Sequence, residues 1–416
     1  MLAAGAIVFK GAVQLWLERL NRRSVLAHAH AVPEAYRGAV DEATYKRSVE
    51  YSLARGSFRE VGLVWDTAVV LAVLYSGVLP WWFDWFRHTL GSSAWALAAF
   101  LLGTGLALAV PGLPLEWYDH FRLEARFGFN TTTPSLWVVD RLKEVALSVV
   151  LGWPLLWVVL KLVERTGPRW WLWAWGALLA FQGAMAVLAP VLILPLFNKF
   201  TPLPEGSLRE RLLALAERTR FRARSIQVMN GSKRSRHSNA FFTGFGRFRK
   251  IALFDTLIQQ LAEPELEAVL AHEIGHFKKK HIARALALGA AGSLAGLYAV
   301  SLLARQDWFY RAFGFAPGSP APALLVFILL SGVVAFWLSP LAHWWSRRHE
   351  YQADAFAAQV MGEAKSLIGA LRKLNEKNLS NLTPHPLYSG FYYSHPTLLE
   401  RERALTAGAW LFSREA

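Results

Sequence analysis

The sequence predicts an all-α polytopic membrane protein with a small α+β domain on one side of the bilayer, and three observations carry that prediction. Hydrophobic residues make up 54% of the 416, and mean hydropathy is +0.25. Apolar stretches near the roughly 20 residues that cross a bilayer core as a helix recur with few charges inside them. Two long polar regions, 198–284 and 345–416, interrupt that rhythm and have the length to fold.

Seven transmembrane helices are expected, over about 2–18, 61–83, 93–114, 145–163, 170–197, 285–304 and 323–344. The first is short and carries Lys10, in the manner of a signal peptide, whose apolar core runs about 7–15 residues. No A-x-A-like site follows it, and Glu18, Arg19, Arg22 and Arg23 come next, so it reads as an uncleaved anchor. The net charge of +15 would suit a nucleic-acid partner if the basic residues formed one patch. They alternate by loop instead: 38 Lys and Arg fall on one side of the predicted membrane and 6 on the other. Positive-inside bias accounts for that distribution without nucleic acid, and it places the N-terminus outside and the polar regions in the cytoplasm. The chain has no cysteine, which excludes disulfides and thiolate metal sites.

The first polar region opens with Pro202 and Pro204, then a helix over about 207–219 and a strand at 225–230. Two β-prone runs at about 238–244 and 249–255 flank Gly244 and Gly246 and read as a hairpin. Pro264 opens a helix that continues to about 280, since proline suits the first helical turn. The second region reads as helices over about 345–360 and 363–377, a loop rich in Pro, Asn and Ser to 396, and a closing helix.

His272, Glu273, Ile274, Gly275 and His276 form H-E-x-x-H within the 264–280 helix. Four residues at about 100° each return the second imidazole to within about 40° of the first, one turn on. Both rings can then reach one zinc ion at about 2.0–2.1 Å. Glu273, about 100° round from His272, is placed to meet a water on that metal as general base.

A catalytic zinc site needs a third protein ligand and an open position. In SRRHEYQADAF, Glu350 and Asp354 are four apart on one helical face, Glu350 suited to the metal and Asp354 to the remaining ring N–H of a ligand histidine. The plainer reading pairs both carboxylates with Arg347 and Arg348 at the surface. Rival third ligands are His281, His343, His349 and Glu267. On a continuing helix His281 would lie about 140° from His276, which makes it an interfacial residue. Asn239, in the hairpin just before the metal helix, could align a substrate backbone or simply serve a turn. Nothing in spacing brings Tyr393, His395 or Arg401, in YYSHPTLLERER, to the metal.

Through YKRSVEYSLARGSF, EARFGFNTTTPSLWVVDRLKE, PLFNKFTPLPEG, SKRSRHSNAFFTGFG, IALFDTLI, LAHEIGHFKKKH, RRHEYQADAFA and SHPTLLER, the chain resembles the type I CAAX prenyl endoproteases, membrane zinc metallopeptidases of gluzincin type. The resemblance implies seven helices around a large water-filled chamber, closed on the cytoplasmic side by the zinc domain. It implies one Zn2+ per chain held by His272, His276 and Glu350, with Glu273 as base and Asp354 as the carboxylate behind a ligand. It also implies that Asn239 aligns substrate, His395 acts at the oxyanion and Arg401 supports that loop. The short loops and the lack of an endoplasmic-reticulum retrieval signal suggest a bacterial inner-membrane member.

The chain then divides into 1–197 with helices one to five, 198–284 with the hairpin and metal helix, 285–344 with helices six and seven, and 345–416 completing the zinc site. The expected partners are a peptide or protein substrate, lipid-modified or membrane-associated, and membrane lipids. The alternative is a transporter or channel whose metal only ties two cytoplasmic segments together. A structural zinc site is closed by four protein ligands, and the sequence offers three.

Overall fold

A computed structural model describes the chain apart from residues 39, 222–224, 239, 244–249 and 409–416, and apart from the side chains of 241–243 and 250. Among the described residues, five helices are long and apolar enough to cross a membrane: Ala94–Phe127, Pro134–Arg165, Gly167–Phe197, His281–Leu303 and Pro320–Met361. Glu42–Tyr75 and Val78–Leu90 make a sixth if the pair, bent by 55°, is one span. The bend falls at Gly77, whose φ of 82° is open to glycine at little cost. Leu2–His28, the first of the seven expected, is a 27-residue helix that does not join this group. Lys10 and the run from Glu18 to Arg23 dilute its apolar length.

In Pro134–Arg165 and Gly167–Phe197 only 6% and 0% of the most apolar window is buried within the protein. Helices this apolar all round are stable when lipid covers them. Where the membrane helices do meet, Phe83, Phe100, Leu160 and Leu325 form a closed core.

The 198–284 region folds around a four-stranded sheet of order β1-β2-β4-β3: β1 Phe200–Pro202, β2 Ser225–Met229, β3 Ala240–Thr243 and β4 Lys250–Phe254. The expected hairpin is present, β3 pairing antiparallel with β4 from Ala240 opposite Leu253 to Thr243 opposite Lys250. Its turn, with Gly244 and Gly246, lies outside the described residues. β2 runs parallel to β4, and β3 is left at the edge. Helices Ser207–Arg218 and Glu263–Lys278 match the expected 207–219 and 264–280. Leu212, Leu253, Leu266, Ile274 and Ala357 share one buried core, so the sheet, the metal helix and the distant 350s segment fold as a unit.

Two expectations for the C-terminal region need correction. The span at 323–344 and the helix at 345–360 are one continuous helix, Pro320–Met361, of 42 residues. Pro340 sits inside it, which membrane helices tolerate where neighbours absorb the lost hydrogen bond. At 1.5 Å per residue the helix is about 63 Å long, twice a bilayer core of about 30 Å, so its C-terminal half must leave the membrane. The segment read as loop to 396 contains a short helix, Pro386–Tyr392.

The polar domain is pinned to the membrane helices by specific polar contacts. Arg234 grips Asp140 with two hydrogen bonds, Nε to Oδ2 at 2.8 Å and Nη2 to Oδ1 at 3.0 Å. Thr131 donates to the Ser232 carbonyl, and Asn130 bridges to Ser235. These links fix the segment that leads into β3.

Candidate metal centre

The Glu263–Lys278 helix starts on Glu265, whose carboxylate accepts from the Ala262 N–H at 2.7 Å, with Pro264 in the first turn. It lies against Pro320–Met361 at Gly275. A Cβ there would come within 3.1 Å of Ala353 Cα and 3.2 Å of the Ala353 carbonyl, backbone that cannot swing away. Glycine inside HEIGH therefore sets the distance between the two helices, and that distance delivers Glu350 to the histidines.

His272 Nε2 and His276 Nε2 stand 3.1 Å apart, Glu350 Oε2 is 3.4 Å from the first and Glu350 Oε1 is 3.3 Å from the second. Tetrahedral bonds of 2.0–2.1 Å separate their donor atoms by about 3.3–3.4 Å, so the three side chains stand at spacings that could hold one zinc ion. These three residues form the one group of potential metal ligands found among the described residues. Glu350, 4% exposed, leaves its buried Oε2 without a hydrogen-bond partner among them. Burial alone would discharge the His272 ring, but Asp354 on one nitrogen and Glu350 on the other hold its pKa up at about 9. The pocket is built to receive positive charge.

Behind His272, Nδ1–H donates to Asp354 Oδ1 at 2.8 Å, and Arg401 grips Asp354 in turn, Nε to Oδ2 at 2.8 Å. The contact fixes the His272 tautomer with Nε2 free for the metal. Arg401 arrives on the Leu398–Thr406 helix, which begins at a capping box: Thr397 accepts from the Glu400 N–H while Glu400 returns to the Thr397 N–H at 2.7 Å. The T-x-x-E pattern in SHPTLLER is the sequence signal for that start. Glu273 follows His272 on the same helix, and burial raises its pKa above the ordinary carboxylate range, toward what a general base near neutral pH requires.

Among the residues that spacing could not place, His395 Nε2 is 3.5 Å from Glu350 Oε1, with Ser394 at its other nitrogen. Tyr393 packs with Leu17, Phe336 and Tyr388, and its carbonyl accepts from Arg347 at 2.8 Å. Asn239 lies outside the described residues. The surface-pair reading of Glu350 and Asp354 fails, since Arg347 serves loop carbonyls and Arg348 covers the Trp344 ring. Of the rival ligands, Glu267 is taken by Arg211 and Arg218.

His281 corrects the helical-phase argument. The helix ends at Lys278: Lys280 adopts φ 58°, ψ 29°, and a new helix begins at His281. That left-handed step turns the His281 ring back so that its Nδ1 lies 3.0 Å from His276 Nδ1. Phase reasoning missed it because it assumes one unbroken helix.

Beside the site lies a cavity of about 520 Å3 lined by Arg59, Tyr388, His395 and Arg401, and next to that cavity a second of about 690 Å3 lined by Glu124, Arg234 and His237. Tyr51 and Arg55 line both.

Membrane-spanning helices, one of which carries a buried carboxylate to an HEIGH pair, define a membrane zinc metalloendopeptidase. Residues 21–199 match the family described as CAAX prenyl protease N-terminal, five membrane helices, and residues 202–409 match peptidase family M48. The chain is 36% identical to CAAX prenyl protease 1 of Saccharomyces cerevisiae, over 90% of this chain and 88% of that one. It is 31% identical to CAAX prenyl protease 1 homolog of Homo sapiens, over 96% and 94%. The crystal structure of S. mikatae Ste24p superposes with a TM-score of 0.88 at 33% identity, covering 97% of this chain and 99% of that one. The chain belongs to peptidase family M48, together with the CAAX prenyl proteases.

Proposed function

We propose that this endopeptidase cleaves flexible, membrane-associated or lipid-modified chains that reach the metal through the polar cavities, with broad side-chain preference. The carrying observation is the group of His272, His276 and Glu350, with Glu273 on the histidines' helix, beside His395 and Arg401, which line the first cavity. His272, His276 and Glu350 are assigned as ligands, Asp354 and Arg401 as their support, and Glu273 and His395 as catalytic residues. Zinc held by these three residues would activate a water and polarise the scissile carbonyl. Glu273 would take the proton from the attacking water as its oxygen bonds to the carbonyl carbon, and return it to the amine as the C–N bond breaks. His395, the most exposed of the group, faces the substrate side and donates to the developing oxyanion.

Asn239 and the edge strand β3 align the substrate backbone, and recognition by backbone leaves side chains loosely constrained. The names of the relatives point to prenylated C-a-a-X chains as one accepted class. The 38-to-6 distribution of basic residues supports a cytoplasmic site, and the short loops favour a bacterial inner membrane; Leu2–His28 is taken as a seventh span, and 197, 284 and 344 as the points where the chain passes between membrane and cytoplasm, the last within the continuous helix Pro320–Met361. The test compares one flexible sequence free, farnesylated on a C-a-a-X end, and buried in a stable fold, in wild type and Asn239→Ala. Cleavage of the first two only, weakened in the variant at unchanged zinc content, is expected. Equal cleavage of the buried form would refute selection by access, and an unaffected variant would refute alignment.

A further inference from the structure

His272 is oriented by a carboxylate, but among the described residues none places a carboxylate on the second nitrogen of His276. Its Nδ1 instead meets His281 Nδ1 at 3.0 Å, and His281 Nε2 meets Gln352 Oε1 at 2.9 Å. Only one direction of donation along this chain serves a metal ligand. His276 can offer Nε2 only as the tautomer protonated at Nδ1, so His276 Nδ1–H must donate to His281 Nδ1. His281 then carries its own proton on Nε2 and donates it to Gln352 Oε1, the oxygen that faces it. Reversed, the relay would put a proton on His276 Nε2, inside the ligand triangle. A doubly protonated His281 would set N–H against N–H.

The ring that accepts from His276 is held firmly. His281 is 4% exposed and stacks on His349 at 3.9 Å with 8° between the planes, and Trp345 backs His349 at 4.3 Å. The left-handed turn at Lys280 makes the arrangement possible, and His349 and Gln352 both come from the helix that carries Glu350.

We propose that His281 is a positioning residue that fixes His276 in its metal-binding tautomer through a neutral relay ending at Gln352. The inference rests on the zinc reading of the site, and its test separates the two. Full-length protein in detergent is stripped of metal, and zinc affinity is measured by competition with a chromophoric chelator. One tight zinc per wild-type chain supports the metal reading, and its absence would overturn that reading independently. His281→Phe keeps a ring on His349 but offers no acceptor, and zinc affinity should fall about 10- to 100-fold, as for lost partners of ligand histidines. His281→Asn, whose Oδ1 replaces the accepting nitrogen, should recover most of it. The metal-free His281→Phe protein should unfold near the wild-type temperature, which a merely structural role would not predict. Gln352→Met, at an exposed position, breaks only the far end and should weaken zinc by a smaller factor. Wild-type affinity in His281→Phe, or no recovery in His281→Asn, would overturn the relay. Should His281→Phe fail to fold, unchanged affinity in Gln352→Met would overturn it alone.

Discussion

Glu350 and Asp354 are 4% and 2% exposed, and Asp354 is held by both His272 and Arg401; His395, beside the same ligand group, has a side chain that is 63% exposed. The metal side is assembled from three distant pieces of chain: the HEIGH helix, the end of a membrane helix and the capped helix bearing Arg401. On the proposed function the substrate side is the loop carrying His395, which lines the cavity. Such a division lets the ion be held rigidly while the opposite wall stays open for a peptide. It also means that substitutions on the two sides should fail differently, the first losing metal and activity together, the second losing activity alone.

The largest effect should come from Glu350→Ala. Removing the one carboxylate of the triangle leaves two histidines, and zinc per chain, measured by atomic emission after gel filtration, should fall well below one with peptide cleavage undetectable. Retention of tight zinc would assign the third ligand elsewhere and erase the contrast. Glu273→Gln sits on the metal side by position but on the chemical side by role. It should keep about one zinc per chain while kcat falls by roughly 10²–10⁴, the range assigned to a general base. Near-normal turnover would remove Glu273 from the reaction. His395→Ala sharpens the comparison further: about 10²–10³ lower kcat, the loss usual for one oxyanion donor, with zinc affinity unchanged. A drop in zinc affinity would move His395 to the metal side.

What could be read beforehand follows the same boundary. H-E-x-x-H and the Glu350–Asp354 pair are local spacings on helices, so their geometry follows from 3.6 residues per turn. The β3–β4 hairpin was legible for a similar reason, two β-prone runs around glycines. His281 was misplaced because a single left-handed residue, Lys280, reset the helical phase. His395 and Arg401 reach the site across loops whose path no periodicity encodes, and only resemblance pointed to them. The continuity of Pro320–Met361 was hidden by the change from apolar to charged residues near 345, which reads as a boundary although the backbone has none.

The smallest expected effect lies where the substrate side is tied to the membrane helices, at His237. Its Nδ1 donates to Asn378 Oδ1 at 2.9 Å and its Nε2 faces Glu124 Oε2 at 3.3 Å, while the ring stacks on Phe129 at 4.2 Å. Two acceptors on the two nitrogens suit the doubly protonated ring. Burial opposes that charge, but the hydrogen bonds to Glu124 and Asn378 outweigh it, with Arg55 nearby working against, and the pKa ends above the ordinary histidine value. The sign of the linkage follows. A group whose folded pKa is raised contributes stability in full below its unfolded pKa, about 6.5, and loses it as pH rises through the folded value. The thermal unfolding temperature of the wild type should therefore decline from pH 6 to pH 9 more steeply than that of His237→Gln, which cannot titrate. The difference between the two curves is the quantity to read, because other groups titrate in both proteins. It should be small, since the His237 side chain is 38% exposed and solvent screens its pairing. Parallel curves would show that folding leaves the His237 pKa unchanged and would leave the entry to β3 held by Arg234 and Asp140.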